Sequence, residues 1–252
     1  MIIETHVHIS DSKYDADRED MLKRAEAAGV KKFVNIGAEA AETRKVADFD
    51  RAGVFKALGL HPHNAAEYDA AFKSEMTGFL KARKNIVALG EIGMDYFKST
   101  TPKDIQEKVF REFLGMARDF GLPVVIHSRE AHEDTIRILR EFKIERRGII
   151  HCFFGTAETA KRFIGEGYLL GIGGVITFPN SGVLKQAVFE LPLDAFVLET
   201  DAPWLAPQQV RGKRNEPAFL RHIVTAIAGL KGVSETEVEE VTTRNACKVF
   251  GI

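Results

Sequence analysis

The sequence predicts an α/β fold, a single (β/α)₈ TIM barrel over residues 1–252 with additional helices at its C-terminal end. Three observations predict it. Short runs rich in β-branched residues alternate with longer amphipathic stretches, the pattern of repeated βα units around a parallel sheet. The 252 residues match the roughly 250 typical of an eight-fold barrel. Residues that are costly to bury, His, Glu and Asp, fall at the C-terminal ends of the strand-like runs, where barrels of this kind assemble their active sites.

Eight strand-like runs can be counted: 1–8, 31–37, 54–61, 86–92, 123–127, 148–153, 168–174 and 196–201. Helix-like stretches lie between them, among them 18–28, 70–84, 102–120 and 156–165, several ending in the Gly that favours a helix C-cap. After the eighth run come a loop over 202–216, a helix starting near Pro217 and a last helix opened by Ser234. Ser234 is followed by Glu-Thr-Glu, so its hydroxyl can cap the helix while the acidic residues suit the positive end of the dipole. No low-complexity segment or linker divides the chain. An open doubly wound sheet is the alternative, but eight units in this length favour closure.

Composition narrows the function classes. Hydrophobic residues make up 45% and charged residues 28%, enough to fill a core without disulfides. Thirty-five Lys plus Arg against 36 Asp plus Glu give a net charge of −1, so no global field attracts polyanions and any contact with nucleic acid must be local. Cys152 and Cys247 stand alone, without the paired spacing of a zinc finger or redox motif. That predicts a reducing compartment, and Cys152 is expected to face outward into the helix layer. Neither a leader nor a membrane-spanning run is read from the sequence, so a cytoplasmic location is expected, and a monomer because a closed barrel needs no partner to complete its core.

The chemistry concentrates at the strand ends. His6 and His8, two apart on the first run, share a face by the period of a strand. Glu4 lies one layer deeper, where it can orient a ligand or a water. The fourth run ends in Gly90-Glu91-Ile92-Gly93-Met94-Asp95-Tyr96. A carboxylate on an otherwise apolar strand calls for a cation, and its two oxygens let Glu91 bridge two metals. The fifth and sixth apolar runs each end in one His, His127 and His151. The eighth carries Glu199 and Asp201 on one face, with Asp201 nearer the mouth and able to bind metal and accept a proton. Four His and two carboxylates suffice for two divalent ions with positions left open. The mixed donor set suits Zn²⁺, Mn²⁺ or Co²⁺ better than an all-oxygen Mg²⁺ cage, though ligand types alone do not separate these four ions.

With these residues in place, the sequence resembles the TatD-like hydrolases, a branch of the metal-dependent amidohydrolase-type barrels. The matching motifs run almost end to end: Glu-Thr-His6-Val-His8, Gly59-Leu-His61-Pro-His, Gly90-Glu91-Ile-Gly-Met-Asp-Tyr, Ile126-His127-Ser-Arg129, Ile150-His151-Cys-Phe, Glu199-Thr-Asp201-Ala-Pro and Arg211-Gly-Lys-Arg-Asn-Glu-Pro217. The resemblance implies a metal-dependent DNase, often a 3′ to 5′ exonuclease on single-stranded DNA. It implies that His6, His8 and Asp201 hold one metal and His127 and His151 the other. Glu91 would bridge them, and His61 would sit near the substrate phosphate. Glu4 departs from the Asp with which the family usually begins its first motif.

Catalytic roles are therefore expected for Asp201, Glu91 and His61. Arg129, Arg211, Lys213 and Arg214 are expected near substrate phosphates, and Tyr96, Phe153, Phe154 and Trp204 are candidates to stack on unpaired bases. His63, His132 and His222 are read as ordinary loop or helix residues. Two rivals stand beside the nuclease. The same metals could hydrolyse an amide, ester or lactone, or the chain could be a binding protein that has lost its chemistry.

Overall fold

A computed structural model describes residues 1–142 and 144–252. Eight strands form one parallel sheet in the order of the chain: β1 (Ile2–Val7), β2 (Val30–Ile36), β3 (Val54–Leu58), β4 (Ile86–Asp95), β5 (Val124–Arg129), β6 (Gly148–Ile150), β7 (Leu169–Ile172) and β8 (Phe196–Leu198). The ring closes where the chain leaving β8 meets β1: Asp201 N–H donates to the His6 carbonyl at 3.0 Å and His8 N–H to the Ala202 carbonyl at 2.9 Å. With that, the expected barrel is observed.

Nine α-helices are described around it: α1 (Arg18–Ala27), α2 (Ala40–Asp48), α3 (Ala70–Ala82), α4 (Lys103–Phe120), α5 (His132–Glu141), α6 (Ala157–Gly165), α7 (Gly182–Glu190), α8 (Leu220–Lys231) and α9 (Glu235–Phe250). In α4 the buried Val109, Phe110, Phe113, Leu114 and Ala117 recur at helical spacing, so one stripe packs on the sheet. Gly121, at φ 64°, ends that helix in the left-handed conformation that favours glycine. Ser234 caps α9 as expected, accepting Glu237 N–H at 3.1 Å. Near Pro217 the chain first forms a short 3₁₀ turn, Pro217–Phe219, and only then α8.

Two apolar layers follow from the alternation of strand side chains. Ile3, Val34, Ile36, Ala57, Ala88, Val125, Ile149 and Val197 fill the barrel interior, which Ala246, Val249 and Phe250 of α9 extend. The larger cluster, including Phe33, Leu58, Phe110, Phe113, Phe163 and Phe196, seals the strands against the helices. A filled interior leaves the site on the C-terminal rim.

Strand bounds differ from the sequence reading in one way that matters. β4 continues to Asp95, whereas β6 and β8 stop at Ile150 and Leu198, so His151 and Asp201 stand just beyond their strands. Cys152 at φ 45° and Asp201 at φ 56° turn the backbone out of the extended region there. That turn breaks the alternation. Cys152 consequently lines the rim cavity instead of facing the helix layer, which corrects the expectation for it.

Candidate metal centre at the barrel mouth

The centre is built around Glu91. Its Oε1 lies 2.8 Å from His127 Nδ1, 3.6 Å from His61 Nε2 and 3.8 Å from His151 Nε2, while Oε2 lies 3.4 Å from His6 Nε2. Asp201 Oδ1 stands 3.6 Å from Nε2 of both His6 and His8, and 3.8 Å from Nε2 of His151. All six expected ligands thus converge, and no Lys or Arg is paired with Glu91 among the described residues. One oxygen of Glu91 faces each half of the cluster.

Behind the imidazoles stand further carboxylates. Glu42 of α2 is 3.1 Å from His8 Nδ1 and is anchored by accepting Ala38 N–H. Glu199 Oε1 is 3.0 Å from His151 Nδ1 and accepts the Cys152 N–H. Asp95 is 3.1 Å from His127 Nε2. Glu4 plays a different part from the one expected. It accepts the N–H groups of His6 and Thr200 and the Thr200 hydroxyl, tying β1 to the end of β8 without touching a ring.

Protonation follows from this crowding. Burial alone would raise the Glu91 carboxyl, but His151, His61, His127 and His6 together hold it well below the usual carboxylate range. Asp201 is lowered in the same way, against its burial, by His8, His151 and His6. Burial also works against charging His151, yet Glu199, Glu91 and Asp201 push it up to about 9. Burial brings His61 down to about 3, so that ring is neutral. Both nitrogens of the fully buried His6 lack a hydrogen-bond partner. A buried polar group is rarely left in that state, and a divalent ion between Nε2 and the carboxylates would satisfy it. The donor set therefore fits metal ions.

Above the centre opens a cavity of about 980 Å³, lined by His8, His61, Glu91, His127, His151 and Asp201. Arg129, Trp204 and Phe154 also line it, as expected. Arg129 stacks 4.2 Å over the Phe97 ring, and Lys13 Nζ lies 3.2 Å over Trp204. Other expected contacts lie elsewhere. Arg214 is ion-paired with Asp17, Arg211 stacks on Phe178, and neither they nor Lys213 line the cavity. Phe153 is buried, and Tyr96 donates its hydroxyl to Asp134.

Besides Cys152 and Lys98, Glu42, His63, Asp95 and His132 were not foreseen as part of this region. His63 and His132 line the cavity rather than being ordinary loop and helix residues, whereas His222 stays on α8 beside Phe219. A signal for Asp95 existed in the sequence. Residues 91, 93 and 95 share a face at the period of a strand, once β4 is carried past Ile92.

Residues 3–251 match the family model described as TatD related DNase. The chain belongs to that family, a family of metal-dependent hydrolases. A relative from Bacillus subtilis (strain 168), the uncharacterized metal-dependent hydrolase YabD, is 38% identical over 262 residues, covering 100% of both chains. The 3′-5′ ssDNA/RNA exonuclease TatD of Rahnella sp. (strain Y9602) is 32% identical over 100% of this chain and 98% of its own. The crystal structure of YJJV, a TatD homolog from Escherichia coli K12, superposes with a TM-score of 0.95 at 30% identity, covering 100% of this chain and 98% of that one. The TatD fold and its barrel are thereby shared. No helix among the described residues is long and apolar enough to cross a membrane.

Proposed function

We propose that this TatD-family barrel, acting over residues 1–252 as a cytoplasmic monomer, hydrolyses phosphodiester bonds of DNA, releasing nucleotides from the 3′ end of single strands. The observation that carries it is Glu91, placed so that one oxygen faces His6 and the other His127 at the floor of an open cavity. In this reading His6, His8 and Asp201 would hold one divalent ion and His127 and His151 the second, with Glu91 shared between them. Such ions, Zn²⁺, Mn²⁺, Co²⁺ or Mg²⁺, would lower the pKa of water and neutralise phosphoryl oxygens.

The chain's own residues supply the rest. Asp201 reaches the cavity and takes the proton of the attacking water. His61 Nδ1 accepts His63 N–H at 3.2 Å, so the neutral ring carries its proton on Nε2, facing Glu91 and His127. It is therefore a donor to a phosphoryl or leaving oxygen rather than a fixed positive charge. Arg129 and Lys98, both on the cavity wall, meet the flanking phosphate. Trp204 and Phe154, 48% and 54% exposed at the edge, offer faces for unpaired bases. The exonuclease names carried by relatives such as the Rahnella protein support the same substrate.

The test is an end-labelled single-stranded DNA oligonucleotide incubated with metal-loaded protein, an EDTA control and the Asp201→Asn variant. Metal-dependent shortening from the 3′ end, absent in the variant, is the expected result. Intact DNA, with ester, lactone or N-acyl substrates turned over instead, would replace the nuclease by a carbonyl hydrolase.

A further inference from the structure

We propose that Asp95, braced by His63, is a positioning residue that aims Nδ1 of His127 at the second metal position. The inference rests on the two-metal reading above.

His127 differs from the other imidazoles. His8 and His151 turn Nδ1 away from the centre, toward Glu42 and Glu199, and present Nε2 to it. His127 is reversed: Nδ1 faces Glu91, and Nε2 points outward to Asp95. An ionised carboxylate only accepts hydrogen bonds. With Asp95 at its far tip, a neutral His127 must keep its proton on Nε2, which leaves the Nδ1 lone pair facing the centre.

Asp95 is itself held on all sides. It is 1% exposed, and its Oδ1 accepts the N–H groups of Phe97 and Lys98, each at 2.8 Å. Its Oδ2 accepts from His127 and, at 3.0 Å, from His63 Nε2. Gln106 of α4 completes the clamp. Its Oε1 accepts Asp95 N–H, and its Nε2 donates to the carbonyls of Asp95 and Thr101. Thr101 closes the circuit by donating its hydroxyl to the His63 carbonyl at 2.8 Å. Through His63 the loop that carries His61 is joined to the orientation of His127. These contacts already engage the Asp95 carboxylate, so the cluster of His61, His63 and Asp95 is read as a brace and not as a third metal site.

The experiment titrates metal-free wild type, Asp95→Asn, His63→Ala and His63→Gln with Mn²⁺ alone, following free Mn²⁺ by its EPR signal. Wild type is expected to take two ions per chain. Asp95→Asn should keep the first at wild-type affinity and bind the second about 10–100-fold more weakly, the usual cost of losing an outer partner of a ligand. His63→Ala should weaken the second ion by a smaller factor, and His63→Gln, whose amide N–H can still reach Asp95, should recover it. The His63 pair leaves the Phe97 and Lys98 turn intact, so it decides the matter if Asp95→Asn disturbs that turn. In ¹⁵N spectra of Zn²⁺-loaded protein, the protonated Nε2 of His127 should be present in wild type and lost in Asp95→Asn. Two ions bound with equal affinity by all four proteins would overturn the inference and leave the two-metal reading standing. Fewer than two ions in wild type would overturn both.

Discussion

Glu91 Oε1 lies 2.8 Å from His127 Nδ1, inside a ring of imidazoles that holds this buried carboxyl well below its ordinary range. The same side chain turns its second oxygen to His6. Glu91→Gln keeps the shape, removes the charge and makes one of the two positions a poor ligand. Metal affinity should fall by more than the ~10–100-fold typical of outer partners, and activity should fall with it. Metal analysis after dialysis, beside single-turnover rates, checks this; a variant that retains two ions and wild-type rates would remove Glu91 from the centre.

Metal should also stabilise the fold. His6, His8, Glu91, His127, His151 and Asp201 are packed together with three nitrogens, both of His6 and Nδ1 of His151, lacking a hydrogen bond, a costly arrangement without a cation. An ion that binds only the folded chain adds about 2.7 kcal/mol at 100 times its dissociation constant. The melting temperature should therefore rise with added Mn²⁺ or Zn²⁺, fall with EDTA, and respond far less in Asp201→Asn. Equal responses in both proteins would mean that the ions bind elsewhere.

What the sequence disclosed, and what it withheld, follows from the physics of each residue. The convergence of His6, His8, Glu91, His127, His151 and Asp201 was legible because a buried His or carboxylate on an apolar strand needs a partner, and strands of a closed barrel deliver their ends to one rim. Asp95 was hidden by a strand boundary, since the reading ended β4 at Ile92. Glu42 was hidden because it reaches the site from α2, a helix, and not from the end of a strand. Cys152 was misplaced because a left-handed residue breaks the alternation that strand logic assumes. The basic loop misled for a different reason: charge along a sequence does not reveal which partner neutralises it, and Asp17 had already engaged Arg214.

Gly93 supports the centre through the absence of a side chain. It pairs with His127 in the β4–β5 register, sits at φ 141°, and a Cβ there would come 2.0 Å from the His127 carbonyl oxygen. A backbone carbonyl of a core strand cannot swing aside. Gly93→Ala combines overpacking with backbone strain and should cost about 3 kcal/mol, lowering the melting temperature by roughly 6–12 °C in a chain of this size. It should weaken metal binding as well, because His127 must shift. Unchanged melting would show that the β4–β5 register is looser than this spacing implies.

Asp17 carries a pH dependence of the fold outside the candidate site. It joins Arg24 of α1, at 2.9 Å, to Arg214 of the loop before α8, at 2.7 Å. The hydrogen bonds from Arg214 and Arg24 lower its carboxyl well below the usual range. A carboxyl depressed in the folded state contributes stability that is complete above its unfolded pKa of about 3.9 and is lost as pH falls through the folded value. All three side chains are partly exposed, so screening keeps the contribution to about 1 kcal/mol. Against Asp17→Asn, which preserves the shape without the charge, wild type should melt a few degrees higher at pH 7. The gap should hold down to about pH 4 and narrow steadily below it. Thermal melts of both proteins from pH 7 to pH 2 measure this, and a gap independent of pH would assign Asp17 to packing instead of charge.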